Sequence, residues 1–298
     1  METEKVKALL RALELGNMSS VAAELGYTPS GMSRMMASLE DETGMRLINR
    51  SRNGITPTNE CKRLLANFSA LVSAANHVEQ RVAEISGIIT GEVRVATAYS
   101  TYYKLFMELI KQFCVKYPGI KVDLTSGRST ALMEKLQSDE LDFCLISYRE
   151  GNCEWIQLFE DPFYIWVPND HPAVAKGVYD IGQITEDSYI DLYPGLESDS
   201  SRLFASHNFV PKIKYTTSDA YAAYAMVEAG LGVTCANGVS INQWKGNVTA
   251  LPFAPNHNVP IGIAAPNPGQ ISPAAKRFKD FATAFFTEHI SEMMENVK

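Results

Sequence analysis

Residues 58–86 contain neither proline nor glycine and read as one unbroken helix. Leu64, Phe68, Leu71, Ala75, Val78, Val82 and Ile85 lie alternately four and three residues apart. That spacing is an a/d seam sustained for about three heptads. A helix from Thr58 to Ser86 would be about 43 Å long at 1.5 Å per residue. A lone helix with an exposed apolar seam is unstable in water, so the seam needs a partner. The partner is either the chain's own body or a second copy. Ser86-Gly87 and Gly91 read as a linker that cuts the helix from the C-terminal two thirds of the chain, which favours a second copy. Three segments result: 1–57, a linker and dimerisation helix with its hinge at 58–90, and 91–298.

The bulk composition narrows the class. A chain of 298 residues suggests two or three domains, at about 100–200 residues each. The opening Met1-Glu2-Thr3-Glu4-Lys5 lacks the basic-then-apolar layout of an export signal. No apolar run approaches the roughly 18 residues of a membrane span. A cytoplasmic protein with no membrane partner is expected. The five cysteines, Cys61, Cys114, Cys144, Cys153 and Cys235, are odd in number and form no Cys-x-x-Cys pair. Neither a disulfide framework nor a zinc site is indicated. The histidines His77, His171, His207, His257 and His289 have no metal-ligand spacing. Nucleotide-binding glycine loops and Gly-x-Ser-x-Gly are absent. No enzyme, metal or cofactor is therefore expected. The net charge of −7 argues superficially against nucleic acid. Residues 1–90 hold ten Lys/Arg and ten Asp/Glu, however, so the whole excess of acid lies in the other 208 residues.

The first segment reads as short helices joined by tight turns. Val6, Leu9, Leu10 and Leu13 form one face of a first helix, which Gly16 and Asn17 end. A second helix follows Ser19 or Ser20, with Val21, Ala22 and Leu25 on its apolar side. A third starts at Thr28, a good N-cap, with Pro29 at the first helical position. Met32, Met35, Met36 and Leu39 make its apolar stripe, and Ser30, Ser33, Arg34 and Ala37 cluster opposite. A helix entering a DNA major groove needs such a face: short side chains, hydroxyls for phosphates and an arginine for guanine. A solvated helix face has the same composition, so this helix alone does not decide. The run from Arg46 to Pro57 adds two short strands around a turn at Asn53-Gly54, which is a wing. Arg50 and Arg52 would sit where a wing meets phosphates or the minor groove.

The run from Ser19 to Arg34, followed by Leu39-Glu40, Gly44 to Arg50 and Thr56-Pro57-Thr58, resembles the signature of LysR-type transcriptional regulators without gaps over about 60 residues. It departs at Asn49, where an aromatic is common, and at Asn59-Glu60, where Ala-Gly is frequent. The resemblance implies an N-terminal winged helix-turn-helix over 1–57 that binds double-stranded promoter DNA. Ser19, Ser20, Thr28, Pro29, Ser30, Ser33 and Arg34 would lie at the groove, with Arg50 and Arg52 on the wing. It further implies a homodimer or homotetramer, with RNA polymerase as a further candidate partner.

From Gly91 onward, β-type runs at 92–98, 120–124, 141–146 and 163–167 alternate with helical stretches. That alternation predicts α/β units with mainly parallel sheets. Motifs such as Tyr117-Pro118-Gly119-Ile120, Glu140-Leu141-Asp142-Phe143 and Pro168-Asn169-Asp170-His171-Pro172 resemble the family's effector-binding domain. That domain has a two-lobed, periplasmic-binding-protein-like fold of type 2. Lobe I is expected over 91–160 and 260–298, and lobe II over 161–259. A small-molecule effector, anionic in expectation, would bind between them near Tyr99, Ser100, Arg128, Ser147, Tyr193 and Asn237. Arg128 follows a strand and opens a helix, where it could grip a carboxylate or simply stand on the surface. Tyr99, Tyr102 and Tyr103 read equally as pocket walls or packing, and Tyr221 and Tyr224 as core or lobe interface. The alternative within the same family is a thiol-based redox sensor using Cys144 and Cys153, nine residues apart. Peroxide-sensing members carry their pair in the second lobe, and Cys144 falls in a predicted buried strand, where a thiol is inert.

Overall fold

The computed structural model describes residues 1–51 and 54–295. The chain divides into two compact units, Met1–Gly91 with Ser138–Glu140, and Glu92–Gln137 with Leu141–Lys298.

The first unit begins with α1 (Thr3–Leu15), α2 (Met18–Glu24) and α3 (Pro29–Thr43). β1 (Ile48–Ser51) and β2 (Gly54–Pro57) come next, then α4 (Asn59–Ile85). Local chemistry sets each boundary. Gly16 ends α1 in the left-handed region, at φ 63°. α2 starts earlier than the serines suggested, because the Asn17 side chain accepts from the Ser19 and Ser20 amides and caps it. Thr28 caps α3 through the Gly31 amide, and Pro29 occupies the first turn. β1 and β2 pair antiparallel with Ser51 opposite Gly54. Arg52 and Asn53, the expected tip of the wing, lie outside the described residues. Gly54 is required where it stands: a Cβ there would lie 2.3 Å from the Gly16 carbonyl oxygen, at φ +115°. Val6, Leu9, Val21, Met32, Met36, Leu39, Leu47 and Ile55 form the core.

The seam of α4 is divided between two uses. Phe68 is buried in the core of the first unit, with Leu64 and Leu71 packed against it. This half is covered by the chain's own body, because α1 packs along α4. Beyond it Val78, Val82 and Ile85 are 64, 59 and 80% exposed.

The second unit contains β3 (Gly91–Thr97), α5 (Tyr103–Lys116), β4 (Ile120–Ser126), α6 (Ser129–Gln137), β5 (Phe143–Ser147) and β6 (Glu154–Pro168). Next come β7 (Tyr179–Asp180), β8 (Tyr189–Leu192), α7 (Asp199–Ser206), β9 (Ile213–Thr217), α8 (Ala220–Glu228) and β10 (Thr234–Asn237). β11 (Val248–Ala254), β12 (Asn258–Ala265), α9 (Pro273–Glu288) and α10 (Ile290–Glu295) complete it. The main sheet runs β4-β3-β5-β12-β6-β11-β7, with β10 also on β6, and β8-β9 form a separate pair.

The expectation of mainly parallel sheets needs correction. β3 with β5, β8 with β9 and β11 with β7 are parallel, but β12 runs antiparallel to both β5 and β6, as do β10 and β11 to β6. The reason is the 15-residue β6, which serves two cores in turn. Phe159 belongs to one core with Val95, Phe106, Phe143 and Phe278. Phe163, Ile165 and Val167 belong to another with Tyr179, Leu203 and Phe253. β12 returns beside β6, with Val259 in the second core and Ile261 and Ile263 in the first. Two antiparallel strands thus join two lobes.

Candidate functional site

On the first unit, Ser19, Ser20, Thr28, Pro29, Ser30 and Arg34 are exposed and Ser33 is half-buried. They present a polar surface because Met32, Met36 and Leu39 commit the other side of α3 to the core. Arg50 is also exposed, and its Nη1 donates to Ser33 Oγ at 3.1 Å, bringing wing and helix together. Arg52 lies outside the described residues. Glu40 turns inward, where Oε1 accepts from the Leu47 and Ile48 amides at 2.7 and 3.2 Å and fixes the start of the wing. Arg11 spends its charge on Glu24 and Glu14. Arg34 has no hydrogen bond or ion pair among the described residues.

On the second unit, a cleft of about 130 Å³ lies where the lobes meet. Its size is comparable to an engineered cavity of about 150 Å³ that holds benzene. Of the residues expected there, Tyr99, Arg128, Tyr193 and Asn237 line it. Arg128 stands between β4 and α6, donates from Nη1 to the Glu197 carbonyl at 3.2 Å, and lies 5.8 Å from the Tyr193 ring. Ser147 is fully buried just behind, its Oγ donating to Asp199 Oδ1 and within hydrogen-bond distance of Ser129 Oγ, both at 2.9 Å. Ser100 is exposed and does not line the cleft; its Oγ accepts from Gln243 Nε2 at 3.3 Å. Tyr102 is core, with its hydroxyl donating to the Met293 carbonyl. Tyr103 and Tyr221 are exposed, whereas Tyr224 is buried edge-on to Trp166.

Sequence reasoning missed Arg149 and Asp199. The Arg149 guanidinium pairs with Asp199 at 2.9 Å from a site only 5% exposed. Arg149 lies just past the end of β5 and Asp199 opens α7. Nothing in their sequence separation announces a contact. Tyr99 Oη, Tyr189 Oη and Asn237 Nδ2 line the cleft and make no hydrogen bond of good geometry among the described residues, although Ser147, Ser200 with Cys235, and Asp161 lie beside them in turn. All three can donate, so the cleft suits a ligand carrying acceptor oxygens.

Asp161 on β6 was also missed. It is fully buried, Oδ1 accepts from the Val239 amide at 3.0 Å, and the Asn237 side chain lies beside it, though Oδ2 makes no hydrogen bond of good geometry among the described residues. Burial pushes its carboxyl up to about 7, against an ordinary 3.8. The folded state therefore holds its proton more tightly than the unfolded state. The stability so contributed is complete below pH 3.8 and is lost as pH rises towards 7. Asp161→Asn should remove this dependence. The variant should match wild type near pH 4 and exceed it by on the order of 1–3 kcal/mol at pH 8. Urea denaturation at pH 4, 6 and 8 checks this; parallel curves for both proteins would contradict it.

Burial pushes the Cys144 thiol up, and the half-buried Cys153, 3.9 Å from Met133 Sδ, is raised for the same reason. Reactive thiols need the opposite shift.

Comparison with known proteins agrees with both units. The sequence profile of the bacterial regulatory helix-turn-helix protein, lysR family, matches residues 3–62, and that of the LysR substrate binding domain matches residues 86–287. The HTH-type transcriptional regulator YybE of Bacillus subtilis (strain 168) is 26% identical, over 97% of this chain and 100% of its own. Full-length OxyR C199D of Pseudomonas aeruginosa superposes with a TM-score of 0.70 at 21% identity, covering 97% of this chain and 94% of that one. Full-length CbnR in complex with its target DNA gives 0.60 at 19% identity, covering 96% and 100%. The effector-binding domain of QuiR in complex with shikimate gives 0.57 at 25% identity, covering 67% and 99%. The chain belongs to the LysR family: it is a transcriptional regulator with an N-terminal helix-turn-helix domain and an effector-binding domain.

Proposed function

We propose that this regulator binds promoter DNA as a homodimer or homotetramer in the cytoplasm. α3 would enter the major groove and the wing would meet the backbone. We further propose that a small carboxylate in the interlobe cleft modulates it. The observation that carries the DNA reading is the contact between Arg50 and Ser33, which joins wing and α3 into one polar surface with an Arg34 that has no partner among the described residues. CbnR, which shares this fold, has been solved in complex with its target DNA, and this supports a DNA target for the present chain. For the effector, Arg128 supplies the cation, and Tyr99, Tyr189 and Asn237 supply donors that make no hydrogen bond of good geometry among the described residues. A hydroxylated carboxylate of the size of shikimate, the ligand of QuiR, satisfies that set. Binding regulates only if it favours one arrangement of the lobes over another.

The test is capture of fragmented genomic DNA by the full-length protein at a fixed, stated salt concentration, with and without shikimate. A few intergenic fragments should be retained selectively, and the acid should alter their retention or footprint. No selective retention under either condition would overturn the DNA reading. Retention unaffected by shikimate, or by a panel of other small hydroxylated carboxylates, would overturn the effector reading.

A further inference from the structure

The charged lining of the cleft is balanced, with Arg128 and Arg149 against Glu197 and Asp199. The two arginines are not equivalent. Every edge of the Arg149 guanidinium is engaged: Nε donates to Thr130 Oγ1 at 2.8 Å, and Nη1 to Ser147 Oγ at 3.0 Å and the Tyr148 carbonyl at 2.8 Å. Nη2 pairs with Asp199 Oδ1 at 2.9 Å, and that oxygen also accepts from Ser147. Arg149 leaves a strand of the first core, while Asp199 opens the helix that carries Leu203 and Phe204 into the second. The pair therefore spans the lobes. Arg128 is half-buried and makes a single hydrogen bond, to the Glu197 carbonyl, among the described residues.

We infer that Asp199 is a specificity-determining residue that fixes the charge of the effector. It occupies on Arg149 the place a second ligand carboxylate would take, so the cleft accepts a monocarboxylate and rejects a dicarboxylate. This rests on the reading of the cleft as an effector site. A monocarboxylate can pair with Arg128 and leave the Arg149–Asp199 contact intact. A dicarboxylate has two routes, and both are unfavourable. It can evict Asp199, which is 14% exposed and would lose its partner in a largely desolvated place. Otherwise it must hold its own second charge beside Asp199 and Glu197, whose neighbouring cations are already engaged: Arg149 by Asp199, and Arg202 by Glu197 at 3.6 Å.

Isothermal titration of the full-length protein with shikimate and with succinate, at constant ionic strength, tests this. Asp199→Asn keeps the shape and removes the charge; Asp199→Ser is a second route should the first variant fold poorly. Wild type should bind succinate at least a hundredfold more weakly than shikimate. Both variants should gain at least tenfold in succinate affinity, and adding Arg149→Met to Asp199→Asn should remove the gain. The gain should be larger for succinate than for shikimate in each variant, and the ratio of the two affinities reads the filter. Folded variants whose succinate affinity is unchanged would overturn the inference, as would a wild type that takes succinate as tightly as shikimate. A wild type that binds neither acid, beside variants that gain succinate, upholds the charge filter and counts against the effector reading itself.

Discussion

Replacing Arg34 and Arg50 together by alanine is expected to abolish selective DNA capture while leaving the fold intact. Both side chains are exposed, and neither belongs to the core of the first unit. Their roles should differ. Arg34 projects from the polar side of α3 with no partner among the described residues, so its guanidinium is free to meet a base edge. Losing such a contact costs about 1–3 kcal/mol, roughly a five- to 150-fold loss concentrated at one base position. Arg50 sits on β1 against Ser33, as a phosphate contact would. Its loss should weaken all fragments similarly and lower the slope of log affinity against log salt by about 1. Titrating a captured fragment and a one-base variant of it at three salt concentrations separates the two effects. If Arg34→Ala leaves discrimination between those fragments unchanged, α3 does not read bases through that residue.

The helix-turn-helix was legible because its signals are local. Thr28-Pro29, Gly16 and the methionine stripe each act within one or two turns of the residues they organise. The misplaced start of α2 is a failure on the same scale: Asn17 caps the helix from one residue outside it. The sheet was illegible for the opposite reason. β12 pairs with β6 about a hundred residues away in sequence, and no periodicity within either strand states that they run antiparallel. Pro162 also interrupts the strand pattern in the middle of what is one strand across two lobes. The cleft divides along the same line. Arg128 could be found because a strand and a helix bracket it. Arg149 and Asp199, about 50 positions apart, meet only because the lobes bring them together. Their contact is a property of topology, as is the burial of Asp161.

The double substitution Val82→Lys, Ile85→Lys should convert the proposed homo-oligomer to a monomer without unfolding the chain. In the single chain these side chains are 59 and 80% exposed, so the substitutions disturb no packing within it. In an assembly through the free half of α4 they would lie at the seam, where each buried Val or Ile contributes roughly 1.5–3 kcal/mol. Two lysines in each copy would remove that gain and set like charges against one another. Phe68 provides the contrast. It lies on the same seam two heptads earlier but is 3% exposed within the chain's own core, so Phe68→Ala should destabilise the fold by about 3–5 kcal/mol. Sedimentation and thermal melting therefore respond to opposite halves of one helix. DNA binding should fall with assembly, since a monomer engages one half-site where a dimer ties two recognition helices to a two-fold site. A double-lysine variant that sediments like wild type would show that the exposed seam of α4 is not where the copies meet.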